Sequence, residues 1–250
     1  MHRFFVDKEA IDNKKITIEG KDFNHIKNVL RMTIGEEVEV SSKGNVYLGE
    51  IKSILEASII INILETRSRR SYNDIEITLF QGLAKGSKMD LIIQKGTEIG
   101  IKNFYGVSTH RTIVKINDEK KEKSRLKRWN AIAEEAAKQS KQRYIPEVKD
   151  IISFKEMLEL LKADGAVIVP YEDEMNISIG EVLKKIKEEN IKKINLIIGP
   201  EGGFEKYEVE AIKNVDGLVV SLGSKILRTE TAGLVAATII FYELSGLGVI

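Results

Sequence analysis

"NLIIGPEGGFEKYEVE", Asn195 to Glu210, is the stretch that decides the reading of this chain. The apolar run Leu196-Ile197-Ile198 stops at Gly199-Pro200-Glu201-Gly202-Gly203, and a helical pattern with acidic residues follows. The chain has only 3 Pro and 19 Gly in 250 residues, so one Pro and three Gly around a single glutamate stand out. The simplest reading is a strand, a tight turn and a helix. Glycines at a strand's carboxyl end also let a ligand approach the backbone, where exposed N–H groups bind it.

Working outward, strand and helix patterns alternate on both sides of this turn. Strands are predicted at 75–80, 103–107, 166–169, 194–198 and 218–222, and helices at 87–99, 119–141, 154–161, 179–186, 205–212 and 229–244. This βαβα order predicts a parallel sheet covered by helices. Residues 1–70 read instead as short strands: Lys15–Ile18 alternates, Val38–Val40 and Val46–Leu48 flank a Gly44-Asn45 turn, and Ile59–Ile63 is β-branched. One helix fits Asp22 to Arg31, with Asp22 as its cap and Phe23, Ile26, Val29 and Leu30 on one face. That half predicts a small β-barrel. The basic run Thr66–Ser71 sets the expected boundary, giving domains 1–70 and 71–250.

At 42% hydrophobic and 31% charged, the chain is able to build a core and stay soluble. Its apolar runs are too short to span a membrane and no signal-peptide pattern opens it, so a cytoplasmic, membrane-free protein is expected. With no cysteine there is no disulfide, thiolate metal site or cysteine nucleophile, and three scattered histidines argue against a histidine-rich metal centre. The net charge of +1 conceals an asymmetry: residues 110–149 carry twelve Lys/Arg against six Asp/Glu, and residues 150–217 nine against fifteen. A basic segment beside an acidic one predicts a polyanion on one face, or a solvated charged helix.

The common nucleotide signatures fail. Gly82-Leu83-Ala84-Lys85-Gly86-Ser87-Lys88 has three residues between its glycines and ends Ser-Lys, so it is not a phosphate loop. There is no G-x-G-x-x-G after a strand and no G-x-S-x-G elbow. Three other strand ends remain: Val169-Pro170-Tyr171-Glu172, Gly199–Gly203, and Leu222-Gly223-Ser224-Lys225-Ile226-Leu227-Arg228-Thr229-Glu230-Thr231-Ala232. Ligands of open α/β sheets bind at such ends.

"GPEGGF" followed by "LGSKILRTETA" resembles the SPOUT class of S-adenosylmethionine-dependent RNA methyltransferases, and within it the family that methylates N3 of a uridine in 16S ribosomal RNA. "HRFFV" (2–6), "HIKNVLRM" (25–32), "QKGTEIG" (94–100) and "EEAAKQSKQRYIPEV" (134–148) extend the resemblance over most of the chain. It implies an N-terminal PUA-like RNA-binding barrel and a C-terminal domain whose parallel sheet is tied in a deep trefoil knot. It also implies a homodimer acting on 16S ribosomal RNA in the small subunit. A second SPOUT activity, on another base or a ribose 2′-hydroxyl, and a non-catalytic RNA-binding assembly factor are the alternatives.

The resemblance implies that the three loops cradle the methyl donor through Val169, Pro170, Tyr171, Ile198, Gly199, Glu201, Gly202, Gly203, Leu222, Gly223, Ile226, Leu227, Thr231 and Ala232. A sulfonium methyl is already activated, so the transfer calls for alignment and no metal. Uridine N3 becomes nucleophilic as its proton leaves, and a fixed cation stabilises the charge that develops. Arg228 is the candidate for that role or for holding an RNA phosphate; Glu201 is a weaker candidate for proton acceptor, and either faces the donor or anchors a neighbouring loop. His25, Arg31, Arg67, Arg69, Arg70, Arg111, Arg128, Lys138, Gln139 and Arg143 are the candidate RNA contacts, and Trp129 is either core or a stacking platform.

Overall fold

The computed structural model describes residues 1–67, 75–114, 118–163 and 165–245. The chain forms two compact units, one of Met1–Ser71 with Ala137–Ile145, the other of Tyr72–Ala136 with Pro146–Ile250. The expected boundary at residue 70 did not anticipate that 137–145 joins the first unit.

The first unit holds β1 (Arg3–Phe5), β2 (Ile11–Asp12), β3 (Lys15–Glu19), β4 (Glu37–Ser42), β5 (Asn45–Ile54) and β6 (Ser58–Arg67). They form one sheet in the order β1-β4-β5-β6-β3-β2, antiparallel except for β1 on β4. Its ladder ends at β1 and β2 and does not close among the described residues. One core takes Phe4 from β1 and Ile16 and Ile18 from β3, so the sheet curls around it. The hairpin turn is Lys43-Gly44, not Gly44-Asn45: both residues have positive φ, 46° and 85°, as a two-residue primed turn requires.

The expected helix at 22–31 begins earlier, as α1 (Gly20–Asn24), and passes into a π turn, His25–Val29. The wider turn rotates Val29 out, leaving it 70% exposed while Phe23 and Ile26 stay buried. Asp22 does not cap; it lies inside the helix and pairs with Lys138 Nζ at 2.8 Å.

The second unit holds β7 (Glu76–Gly82), α2 (Lys88–Ile99), β8 (Asn103–Ser108), α3 (Glu119–Gln139, whose last turn belongs to the first unit), β9 (Glu147–Ser153), α4 (Phe154–Leu161), β10 (Ala166–Pro170), α5 (Ile179–Glu188), β11 (Lys193–Ile198), α6 (Lys206–Lys213), β12 (Gly217–Val220) and α7 (Thr229–Ser245). The six strands are all parallel in the order β12-β10-β11-β7-β8-β9. Edge strand β9 has no counterpart among the sequence expectations. Alternation splits the apolar residues between the faces: Leu79, Leu196 and Ile198 pack with α2, α3, α5 and α7, and Phe80 and Ile197 with α4 and α6. Ser153 and Ser178 start α4 and α5 with capping boxes, using Glu156 and Glu181.

Candidate active site

Chain order runs outward from β7 through β8 to β9, then restarts on the other side with β10, β11 and β12. The switch point lies between β7 and β11, where an open α/β sheet leaves a crevice at its carboxyl edge. Gln81-Gly82 ends β7 there, and Ile198-Gly199-Pro200 ends β11. The two ends touch: a Cβ on Gly82 would stand 2.5 Å from both the nitrogen and Cδ of Pro200. Behind them, buried Gln81 donates from Nε2 to Thr229 Oγ1 at 2.8 Å, and Thr229 Oγ1 donates to the Gly199 carbonyl at 2.6 Å.

The Gly199–Gly203 turn is held from outside as well. Glu201 Oε1 accepts the Lys85 N–H at 3.0 Å and pairs with Lys88 Nζ at 3.2 Å. The same ammonium lies 3.3 Å from Glu230 Oε2, at ion-pair distance but without hydrogen-bond geometry. Burial works to raise the Glu201 pKa, but the Lys85 N–H, its own N–H and Lys88 outweigh it and hold the carboxyl below its ordinary value. Arg111 grips the other side: Nε and Nη2 form a two-bond pair with Glu205, both 2.9 Å, and Nη1 donates to the Gly202 carbonyl at 2.7 Å. The Arg111 bonds to Glu205, with the charge of that guanidinium, hold the Glu205 carboxyl below its ordinary value. Gly202 therefore faces Arg111, with a would-be Cβ 3.2 Å from Arg111 Cβ, and Gly203 has φ +67° beside Glu172.

Two cavities, about 320 and 540 Å³, open along the strand ends and share Pro170, Glu172, Ile226, Leu227 and Ala232. Ile198, Gly199, Glu201, Gly203 and Arg228 line the smaller; Tyr171, Leu222 and Gly223 line the larger. Three of the expected donor residues lie off the walls. Val169 is buried in the core, Gly202 is turned to Arg111, and Thr231 is exposed in the first turn of α7, its N–H on the Arg228 carbonyl. Arg228 is exposed, and its guanidinium has no hydrogen-bond or ion-pair partner among the described residues. Tyr171 donates to Asp173 at 3.1 Å; burial first, then Asp173, raises its phenol pKa. Sequence reasoning missed Gln81, Gly82 and Lys88 as parts of this site; Glu172 and Thr229 lay in the strand-end stretches it named but were given no donor contact. Gly82 and Lys88 sat in the stretch rejected as a phosphate loop, and Gln81 is one amide inside an apolar strand.

The RNA methyltransferase domain model matches residues 71–241, and the RNA methyltransferase PUA domain model matches 18–64. The chain belongs to this RNA methyltransferase family. Ribosomal RNA small subunit methyltransferase E of Bacillus subtilis is 34% identical over 97% of each chain. The Synechocystis protein of that name is 29% identical over 94% of this chain and 75% of its own. The crystal structure of the Neisseria gonorrhoeae ribosomal RNA small subunit methyltransferase E bound to S-adenosyl methionine superposes with a TM-score of 0.83 at 26% identity, over 96% of this chain and 97% of that one.

Against this RNA methyltransferase fold, the basic residues expected to meet RNA separate by what already holds them. Arg111 is committed to Glu205 and the Gly202 carbonyl, and Arg128 to Asp90 at 2.9 Å. In the first unit, Lys138 pairs with Asp22, Arg67 with Glu65, and Arg143 donates to the Gly44 carbonyl at 3.4 Å. His25 lies edge-on to Phe4; Arg31 is exposed with φ +53° and Gln139 is exposed. Arg69 and Arg70 lie outside the described residues. Trp129 is buried and donates to Asp90 Oδ1 at 3.0 Å, so it is core and not a stacking platform.

Proposed function

We propose that this chain transfers a methyl group from S-adenosylmethionine to N3 of one uridine in the 16S ribosomal RNA of the small subunit. The cleft beyond the carboxyl ends of β10, β11 and β12 carries the reading, in a family whose relatives are named small-subunit ribosomal RNA methyltransferases and include one solved with that donor. The residues present suit the donor. The joined cavities have the volume of a small-molecule site, with apolar walls of Ile198, Leu227 and Ala232 for a flat base. Gly223, at φ +109°, borders the larger cavity, and a Cβ there would project into open space.

S-adenosylmethionine, when bound, supplies an activated sulfonium methyl group. Pro170, Tyr171, Ile198, Gly199, Gly203, Leu222, Gly223, Ile226, Leu227 and Ala232 would hold it and exclude water. Arg228, without a partner among the described residues and permanently charged on the cleft wall, stabilises the negative charge that spreads over the uracil as N3 loses its proton. Glu201 anchors the loop; its lowered pKa makes it a poor proton acceptor. The wider assignment is part of the same proposal: a knotted domain, a homodimer and work in the cytoplasm.

Calorimetric titration with S-adenosylmethionine tests the donor site. The native chain should bind, and Ala232→Phe, which fills the cleft from a helix without straining a glycine, should abolish binding while the protein stays folded. Equal binding by both proteins would move the donor elsewhere.

A further inference from the structure

We infer that Gln81 and Thr229 form a one-way hydrogen-bond relay that positions the Gly199-Pro200 peptide and Arg228 for methyl transfer, an inference that rests on the donor cleft proposed above. Gln81 is 1% exposed, and its Nε2 lies 2.8 Å from Thr229 Oγ1, 3.0 Å from the Gly82 carbonyl and 3.4 Å from the Gly199 carbonyl. Carbonyls only accept and an amide nitrogen only donates. The single hydroxyl proton of Thr229 must therefore go to Gly199, 2.6 Å away, while its oxygen accepts from Gln81. The two Nε2 hydrogens serve the two nearer acceptors, Thr229 Oγ1 and the Gly82 carbonyl, and the Gly199 carbonyl takes the Thr229 proton.

Pro200 has no N–H, so the Gly199 carbonyl is the only polar group of that peptide, and the relay fixes it. Gly82 blocks movement the other way, since even a methyl group there would meet Pro200 at 2.5 Å. Thr229 follows Arg228 directly, and the Arg228 carbonyl accepts the Thr231 and Ala232 N–H groups that open α7. One buried network thus sets the glycine turn and the residue, Arg228, whose guanidinium lies on the cleft wall. It does so at a cost: Gln81 Oε1 is buried with no partner among the described residues. Both are positioning residues, acting through Gly199 and Arg228.

The test compares the full chain with Thr229→Val, Thr229→Ser, Gln81→Met and the Thr229→Val/Gln81→Met double variant, by donor titration, single-turnover methylation and thermal melting. Thr229→Val and Gln81→Met should each slow methyl transfer about tenfold or more in protein that is still folded at the assay temperature. Thr229→Ser, which keeps the hydroxyl, should stay within about threefold, and the double variant should be no slower than the slower single one. Rates within about twofold of the native chain for both single variants, additive losses in the double variant, or a Thr229→Ser chain as slow as Thr229→Val would each overturn the relay alone. A native chain that binds no donor would overturn the donor reading and the relay with it.

Discussion

Arg228 and Glu201 show what a residue's surroundings add to its type. Both were legible as candidates because they lie in strand-end loops that resemble the family's donor loops, and Arg228 stays charged. Their roles were not, because they depend on partners far away in sequence: Glu201 on Lys85 and Lys88, Arg228 on having none among the described residues. Arg228→Ala should leave the donor Kd within about threefold and slow methyl transfer by roughly a hundredfold, as loss of one transition-state charge partner does; full activity would remove it from the chemistry. Glu201 has a lowered pKa, so its contribution is complete above the ordinary value of 4.5 and is lost as pH falls through the lower, folded-state value. Acid titration of the native chain and of Glu201→Gln, followed by melting temperature, should show a steeper loss below pH 4.5 in the native chain. Parallel curves would mean that the Lys85 and Lys88 contacts do not stabilise the fold.

At the scale of elements, the turn after β11 explains its own composition. Pro200 packs on Gly82, Gly202 makes way for Arg111, and Gly203 takes a left-handed conformation. The sequence pointed to these glycines as a ligand cradle; Gly199 and Gly203 do border the smaller cavity, while Gly202 is turned to Arg111 by a contact within the protein. Gly82→Ala should therefore cost roughly 1–3 kcal/mol, as overpacking does, and weaken donor binding with it. Chemical denaturation and donor titration of that variant check both; unchanged stability would mean that the turn has room to move. Periodicity gave the buried strands and amphipathic helices, whose signal is local. It missed β9, an edge strand with a mixed pattern, and the π turn at His25–Val29, which changes helical phase without changing composition.

At the scale of the molecule, the parallel sheet follows from element order, but its switch point does not: nothing local tells the chain that β10 restarts beyond β11. That crossing brings residues 81, 199 and 229 together and makes the cleft. The charge asymmetry belongs to this scale too. RNA affinity should fall steeply with salt, with a log–log slope of several counterions, and a flat dependence between about 50 and 200 mM would argue against the basic segment as the docking surface. The most direct measurement is nucleoside mass spectrometry of small-subunit ribosomal RNA after incubation with this protein and methyl-labelled S-adenosylmethionine. The label should appear in N3-methyluridine at one site and accumulate there roughly a hundredfold more slowly with Arg228→Ala; label in a 2′-O-methyl ribose or another base, or none at all with a competent subunit, would contradict the account.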